Sequence, residues 1–541
     1  MTRYRRSKAR KSSNNYAWWW FLPLLGFLLG AGYWWLSLPP EGLGAIARVI
    51  PASAEVVVAW EADWQKWQSL ADLVGVETAK SWLGSSPVQA LLSQSKTDLS
   101  EDVRPWLGSH GVMALVSDPQ NPNNPPGTLL LMPTRDSGKS DRFLEKYRNN
   151  LTALGAIFSN QSYRGVDFSQ SPGANPAESL ITLSLDRKLV ALSNSRNLIQ
   201  QVIDAYRSER PALAEQAKFR QILAEPGSML KVYLDGATAW QFLGDSANGK
   251  LESLTLDVKL EDQGLRFWLD SHLLNQQFSL NTSQGLLSYL PARTVAFVSG
   301  SNLQQSWQSI RDRTSNSATS VSLINQWQSE VKRFLGLDWE KEILAWSQGE
   351  FAIAAIKDDQ GILQAPGVGL AVLSRTSDPT ATTKLLERLT EVARSGAFPF
   401  VPQNVEVKSE SGKPITSWQL SAQSGVTQLA SQGLLQPDLA FWAMGNLGQS
   451  LGGKPAVTEA ATFQTLTKPL IHPSGGYFYL DLGLVRQLVA KVAPPELKSQ
   501  ASYIQAMALL ERSRGLVVSL VSPTSQTLRL DGVVSFIAKS N

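Results

Sequence analysis

The feature that most constrains this chain is that it is written twice. Residues 50–70 read IPASAEVVVAWEADWQKWQSL, and residues 290–310 read LPARTVAFVSGSNLQQSWQSI. Without a gap, Pro51-Ala52 falls on Pro291-Ala292, Trp67 on Trp307, and Gln68-Ser69 on Gln308-Ser309. The same register of 240 residues places Asp98 on Asp338 and Trp106 on Trp346. The register then drifts as loops differ. Phe143-Leu144-Glu145 meets Leu385-Leu386-Glu387 at 242, Phe219 meets Phe463 at 244, and Tyr233-Leu234-Asp235 meets Tyr479-Leu480-Asp481 at 246. The order of landmarks never changes, which is the signature of an internal duplication.

Each copy mixes β-type runs with helical stretches. GVMALVS (111–117) and GTLLLMP (127–133) read as strands, and Phe143, Leu144, Tyr147 and Leu151 form the apolar stripe of a helix. Residues 251–270 and 515–531 each read as two alternating runs around a turn. Hairpins interrupted by helices predict an α+β fold with mainly antiparallel sheets rather than a doubly wound one. The predicted organisation is two tandem homologous α+β repeats, 48–273 and 286–541, joined by a linker at 274–285.

The N-terminus is of another kind. Residues 17–38, AWWWFLPLLGFLLGAGYWWLSL, contain no charge. As a helix they would extend roughly 33 Å, about the thickness of a bilayer's hydrocarbon core. Trp18, Trp19 and Trp20 near one end and Tyr33, Trp34 and Trp35 near the other suit the two interfaces. A cleavable signal peptide competes, but YWWLSLPP offers no small-x-small site after the apolar core. The sequence therefore predicts a single N-terminal transmembrane helix, a basic cytoplasmic tail (1–16), a linker (39–47), and a body in the periplasm or thylakoid lumen.

The net charge of +4 belongs to that tail. Arg3, Arg5, Arg6, Lys8, Arg10 and Lys11 precede any acidic residue, and the rest of the chain holds 44 basic against 46 acidic side chains. Such a body has no general attraction for nucleic acid. Cysteine is absent, which excludes disulfides, thiolate nucleophiles and Cys-based zinc sites.

Chemistry is sparse. Gly138-Lys139-Ser140, between a strand-like run and a helix, imitates a phosphate-binding loop. The glycine that loop needs five residues earlier is Pro133, which has a fixed φ and no N–H to give. The second copy, GLAVLSRTSDPTATTKLLERL (369–389), keeps the strand and helix without any Gly-Lys pair. The unit does not need a nucleotide. Asp136, Ser137 or Ser140 serves instead as a helix cap. His110, His272 and His472 fall at no metal-ligand spacing. Asp235 and Asp481 each follow an aromatic-Leu strand, where general acid–base work or cation binding competes with capping the next helix. Trp67 and Trp307 are read as core anchors rather than stacking platforms.

The single anchor, the IPA and LPA openings of the two halves, and the YLD strand near the end of each half resemble a cyanobacterial family catalogued as domain of unknown function 3352. The resemblance covers nearly all of the chain beyond the anchor. It implies a membrane-anchored envelope or thylakoid protein, and it brings no catalytic residues with it. Catalytic, cofactor-binding and metal-binding residues are all expected to be none, as are cofactors. The partners expected are the lipid bilayer through residues 17–38 and envelope or thylakoid membrane proteins, with no nucleic acid and no nucleotide. The function expected is that of a membrane-anchored, extracytoplasmic, non-enzymatic interaction or assembly protein. A carrier of an apolar ligand such as lipid or pigment, and a hydrolase, are the alternatives. Positions matching between the copies are apolar, aromatic or turn-forming and specify a fold, so any activity resides in what differs between them.

Overall fold

The computed structural model describes residues 43–75, 95–117, 126–173, 179–216, 227–243, 251–273, 285–314, 347–394, 405–409, 415–422 and 425–537, with isolated positions between 219 and 344. The first half supplies strands β1 (Val56–Glu61), β2 (His110–Val116), β3 (Gly127–Pro133), β4 (Ser159–Tyr163), β5 (Val166–Ser171), β6 (Leu180–Leu185), β7 (Leu189–Ser193), β8 (Leu230–Asp235), β9 (Leu251–Glu261) and β10 (Gly264–Leu273). The second supplies β11 (Thr294–Gly300), β12 (Phe351–Lys357), β13 (Val368–Arg375), β14 (Val405–Ser409), β15 (Ile415–Ala422), β16 (Gly425–Gln436), β17 (Leu439–Met444), β18 (Tyr477–Asp481), β19 (Ser513–Thr524) and β20 (Thr527–Phe536).

Within the first unit the pairings run β4-β5-β6-β7-β3-β2, and within the second the end of the first half runs β8-β9-β10. The second half runs through the corresponding strands in reverse, β20-β19-β18-β11-β12-β13-β17-β16-β15-β14. Landmarks that match in sequence recur in structure. Pro51 bridges Ala212 and Pro291 bridges Ala456. Phe219 meets the edge of Tyr233 at 5.3 Å, and Phe463 that of Tyr479 at 5.4 Å.

Two compact units divide the chain. One holds residues up to Ser53, Ala59–Ala71 and Val76–Leu213; the other holds Ala54–Val58, Asp72–Gly75 and Ala214–Asn541. In the first, helix Ser137–Ala153 lays Phe143, Leu144 and Tyr147 into the core, and Phe143 contacts the buried Trp106 at 5.1 Å. In the second, helix Ala461–Thr467 inserts Phe463 and Leu466 among Phe297, Tyr479, Leu373 and Phe441.

Two expectations are corrected. The two expected tandem α+β repeats do not close off from one another. Inside the second unit, β10 pairs antiparallel with β20, from Gly264 opposite Ser535 to His272 opposite Thr527. Left apart, β10 and β20 would each present an unpaired edge; joined, they satisfy each other's backbone groups. Nor does the structure carry the single-pass membrane topology, with its cytoplasmic N-terminus and exported body. No helix among the described residues is long and apolar enough to cross a membrane. Ser137–Ala153 has 17 residues and is amphipathic, against the roughly 20 apolar residues a span requires. The segment 17–38, the tail before it and Trp346 lie outside the described residues, as does linker 274–284. Within the expected linker 39–47, Leu43–Ala47 is a helix with Leu43, Ile46 and Ala47 buried.

Candidate functional site

Residues selected from the sequence take structural roles. The Asp136 carboxylate accepts the Lys139 backbone N–H at 3.0 Å, capping helix Ser137–Ala153. That bond, and then the Lys139 ammonium, hold the Asp136 carboxyl below the usual range. Its counterpart Asp378 accepts the Ala381 N–H at 3.0 Å with no lysine involved. Asp235 accepts the Thr238 N–H at 2.8 Å and Asp481 the Leu484 N–H at 2.9 Å. Both carboxylates are helix caps, and the chain does not bring them together as an acid–base pair.

The aromatic and histidine positions follow suit. Trp67 is 2% exposed and donates its indole N–H to the Glu61 carbonyl at 2.8 Å. Trp307 departs from the core-anchor reading: it is half-buried and donates to Glu340 at 3.2 Å. Burial works against the Glu340 carboxylate, yet hydrogen bonds from Trp307, Arg311 and Gln328 hold its pKa low. His110 lies near Ser109, His272 near Thr527 and His472 near Tyr477. Among the described residues, no group of three or more His, Asp or Glu is placed to hold a metal ion.

A charged belt crosses one face of β9, β10 and β20. Arg266 grips Asp531 with Nε at 3.1 Å and Nη2 at 3.0 Å; Arg529 grips Asp270 at 2.6 and 2.7 Å. Arg529 lies directly opposite Asp270, whereas Arg266 reaches Asp531 diagonally from its place opposite Val533. Asp531 is fully buried and also accepts the Ile471 N–H at 2.8 Å. Lys231 pairs with Asp257, and Lys259 and Arg266 stack against Trp268 at 4.9 and 4.8 Å. These charges answer one another across strands; the belt fixes register.

The opposite face is apolar. Val372, Ile353, Val298, Phe478, Val518 and Phe267 follow one another across adjacent strands, with Gly532 between the last two. A Cβ on Gly532 would lie 2.1 Å from Phe267 Cζ, so the ring lies over the glycine. Val298 is 45% exposed and Phe478 39%. Their strand neighbours Phe297 and Tyr479 point the other way, into a closed core. An antiparallel sheet with one buried face ordinarily turns polar residues outward. On β11 and β18 the outward residues Val298 and Phe478 are apolar as well.

Beside this face lies the largest difference between the copies. Fifteen residues separate β8 from β9, but 31 separate β18 from β19. The longer connection folds into helices Leu482–Val492, Pro495–Lys498 and Ala501–Arg512, which pack on β11, β18, β19 and each other. None of their residues is buried, and Val492 and Ile504 are more than half exposed. Helix Leu482–Val492 is tied down by Lys357 to Gln487 at 2.6 Å and Lys491 to the Gln364 carbonyl at 2.5 Å. The sequence carried two signals for this site: the jump in register after Asp481, and the run GLVVSLV, whose alternation contains almost no polar residue.

No curated protein matches the chain. Among solved structures, crystal form I of TP0453 aligns over 45% of this chain and 82% of its own, at 10% identity and a TM-score of 0.26, too weak a likeness to bear on the fold. The model of the family described as protein of unknown function (DUF3352) matches residues 21–536, and the chain belongs to that family.

Proposed function

We propose that this protein acts by binding rather than by catalysis, and that its working surface is the apolar outer face of β10–β13 and β18–β20 beside the 482–512 helices. One observation carries the reading: Val298 and Phe478, paired across β11 and β18, stand exposed in the middle of an apolar row while the opposite face of the same strands is a closed core. Contiguous exposed apolar surface is a mark of interaction sites. The catalytic alternative draws no support from Asp235, Asp481 or Lys139, whose geometry is that of helix capping.

The test compares the wild-type protein with Phe478→Glu by titration with a solvatochromic apolar dye. The variant should retain its circular dichroism and lose most of the dye response. An unchanged response, in a folded variant, would show that this face is not the binding surface.

A further inference from the structure

We infer that the ligand of this face is a long-chain amphiphile with an anionic head group, its chain on the apolar strands and its head at the cations of the 482–512 helices, Arg486 foremost. The inference rests on the binding role proposed above and adds the chemistry of the ligand.

The face itself selects for alkyl chains. Its central row offers no hydrogen-bonding side chain, and the row alongside it, Leu480, Leu516 and Val534, offers none either. The backbone groups of these strands are engaged in ladders on both sides. A polar ligand or an added strand would therefore find no partners there, whereas a hydrocarbon chain requires none.

The neighbouring helices supply the opposite chemistry. Between residues 482 and 512 stand Arg486, Lys491, Lys498 and Arg512 against Glu496 and Glu511. Lys491 and Arg512 are held by the carbonyl oxygens of Gln364 and Asp72, neutral groups that leave their charge uncompensated. Arg486 is half-buried and has no carboxylate partner among the described residues. A guanidinium drawn partly out of water beside Val485 and Val489 is stabilised by an anion. Its planar fork of donors matches a carboxylate or phosphate head in two bonds.

The cation is also specific to the second copy. At the register of 246 residues that aligns Asp235 with Asp481, Arg486 stands where the first copy has Trp240. Both copies have the helix and its cap, but only the second has a charge at this position. Helix Ala501–Arg512, which brings Arg512, belongs to the lengthened connection.

The experiment uses the full-length protein and two fluorescent probes of the same chain length, a fatty carboxylate and the corresponding alcohol. Wild type, Arg486→Gln, Arg486→Lys and Phe478→Glu are titrated with each, and thermal unfolding checks that every variant is folded. Residues 17–38 are common to all variants, so their contribution cancels. The carboxylate should bind about tenfold more tightly than the alcohol, the preference of one charge-assisted contact. Arg486→Gln should abolish that preference while leaving the alcohol unaffected, and Arg486→Lys should restore part of it. Phe478→Glu should weaken both probes.

Equal binding of the two probes by wild type, or a preference that survives Arg486→Gln, overturns the anionic head. If Phe478→Glu still weakens both probes in that case, the binding role stands without it. If neither probe binds and a co-purifying protein is instead lost from Phe478→Glu, the ligand is a protein surface and the inference fails.

Discussion

Replacing Asp531 with alanine tests whether charge holds β10 against β20. The carboxylate is fully buried and accepts three hydrogen bonds: two from Arg266 at 3.0 and 3.1 Å, and one from the Ile471 N–H at 2.8 Å. Truncation strands the Arg266 guanidinium, whose side chain is 16% exposed, leaving it Glu261 at 4.0 Å and the Trp268 ring at 4.8 Å. Breaking a buried ion pair by removing one partner costs about 3–5 kcal/mol. The freed Ile471 N–H adds a penalty that overlaps with this, of order 1–3 kcal/mol. The expected loss is therefore roughly 3–5 kcal/mol, felt first at the seam. Replacing Arg266 and Asp531 together by leucine leaves no stranded charge and should be milder than the single change. Because a chain of two units need not unfold in one step, the assay is hydrogen–deuterium exchange of peptides covering 264–273 and 527–536. A loss of protection at those peptides worth less than about 1 kcal/mol would refute the argument that the clasp holds the two hairpins in register.

Trp67→Ala should destabilise by roughly 3–5 kcal/mol, whereas Trp307→Ala, half-exposed and bonded to a surface carboxylate, should do markedly less; urea titration of both variants checks the order. Asp136→Ala should weaken helix Ser137–Ala153 by about 1 kcal/mol through loss of its cap, while Lys139→Ala should change neither stability nor nucleotide turnover; ATP hydrolysis abolished by the lysine change alone would overturn the capping assignment. Burial raises the phenols of Tyr147, Tyr233 and Tyr479 above the ordinary range, with Asp235 and Glu252 adding at Tyr233 and Asp481 adding at Tyr479. Their folded pKa values lie above the unfolded value of about 10, so the stability they contribute is complete below that pH and is lost as pH rises past it. In an alkaline titration, their phenolate absorbance should appear together with the loss of native circular dichroism; ionisation ahead of unfolding would contradict their burial.

Much of the local architecture was legible. The Pro-Ala openings, the Phe219 and Phe463 contacts and the YLD strands sit in matching places because sequence spacing records which residues share a helix face or strand pair. The capping roles of Asp136, Asp235 and Asp481 could be read for the same reason: a cap depends on residues three positions apart. Trp307 misled because its burial depends on what packs over a helix, and its place in the repeat says nothing of that. The candidate binding face was hidden more deeply. Val298 and Phe478 are 180 residues apart and look like ordinary core positions until the pairing of β11 with β18 sets them side by side, where both stay exposed.

By itself the sequence determined the spacing of the matching landmarks, the caps at Asp136, Asp235 and Asp481, the absence of thiol chemistry, and the apolar segment near the N-terminus. These follow from composition and from interactions spanning a few residues. Only the tertiary structure decided that the end of the first copy joins the sheet of the second, because β10 meets β20 at separations of 255 residues or more and the bond depends on edges that no local pattern displays. It alone decided which apolar residues are core and which stay exposed, since a strand's two faces are equivalent until the layers above and below are in place.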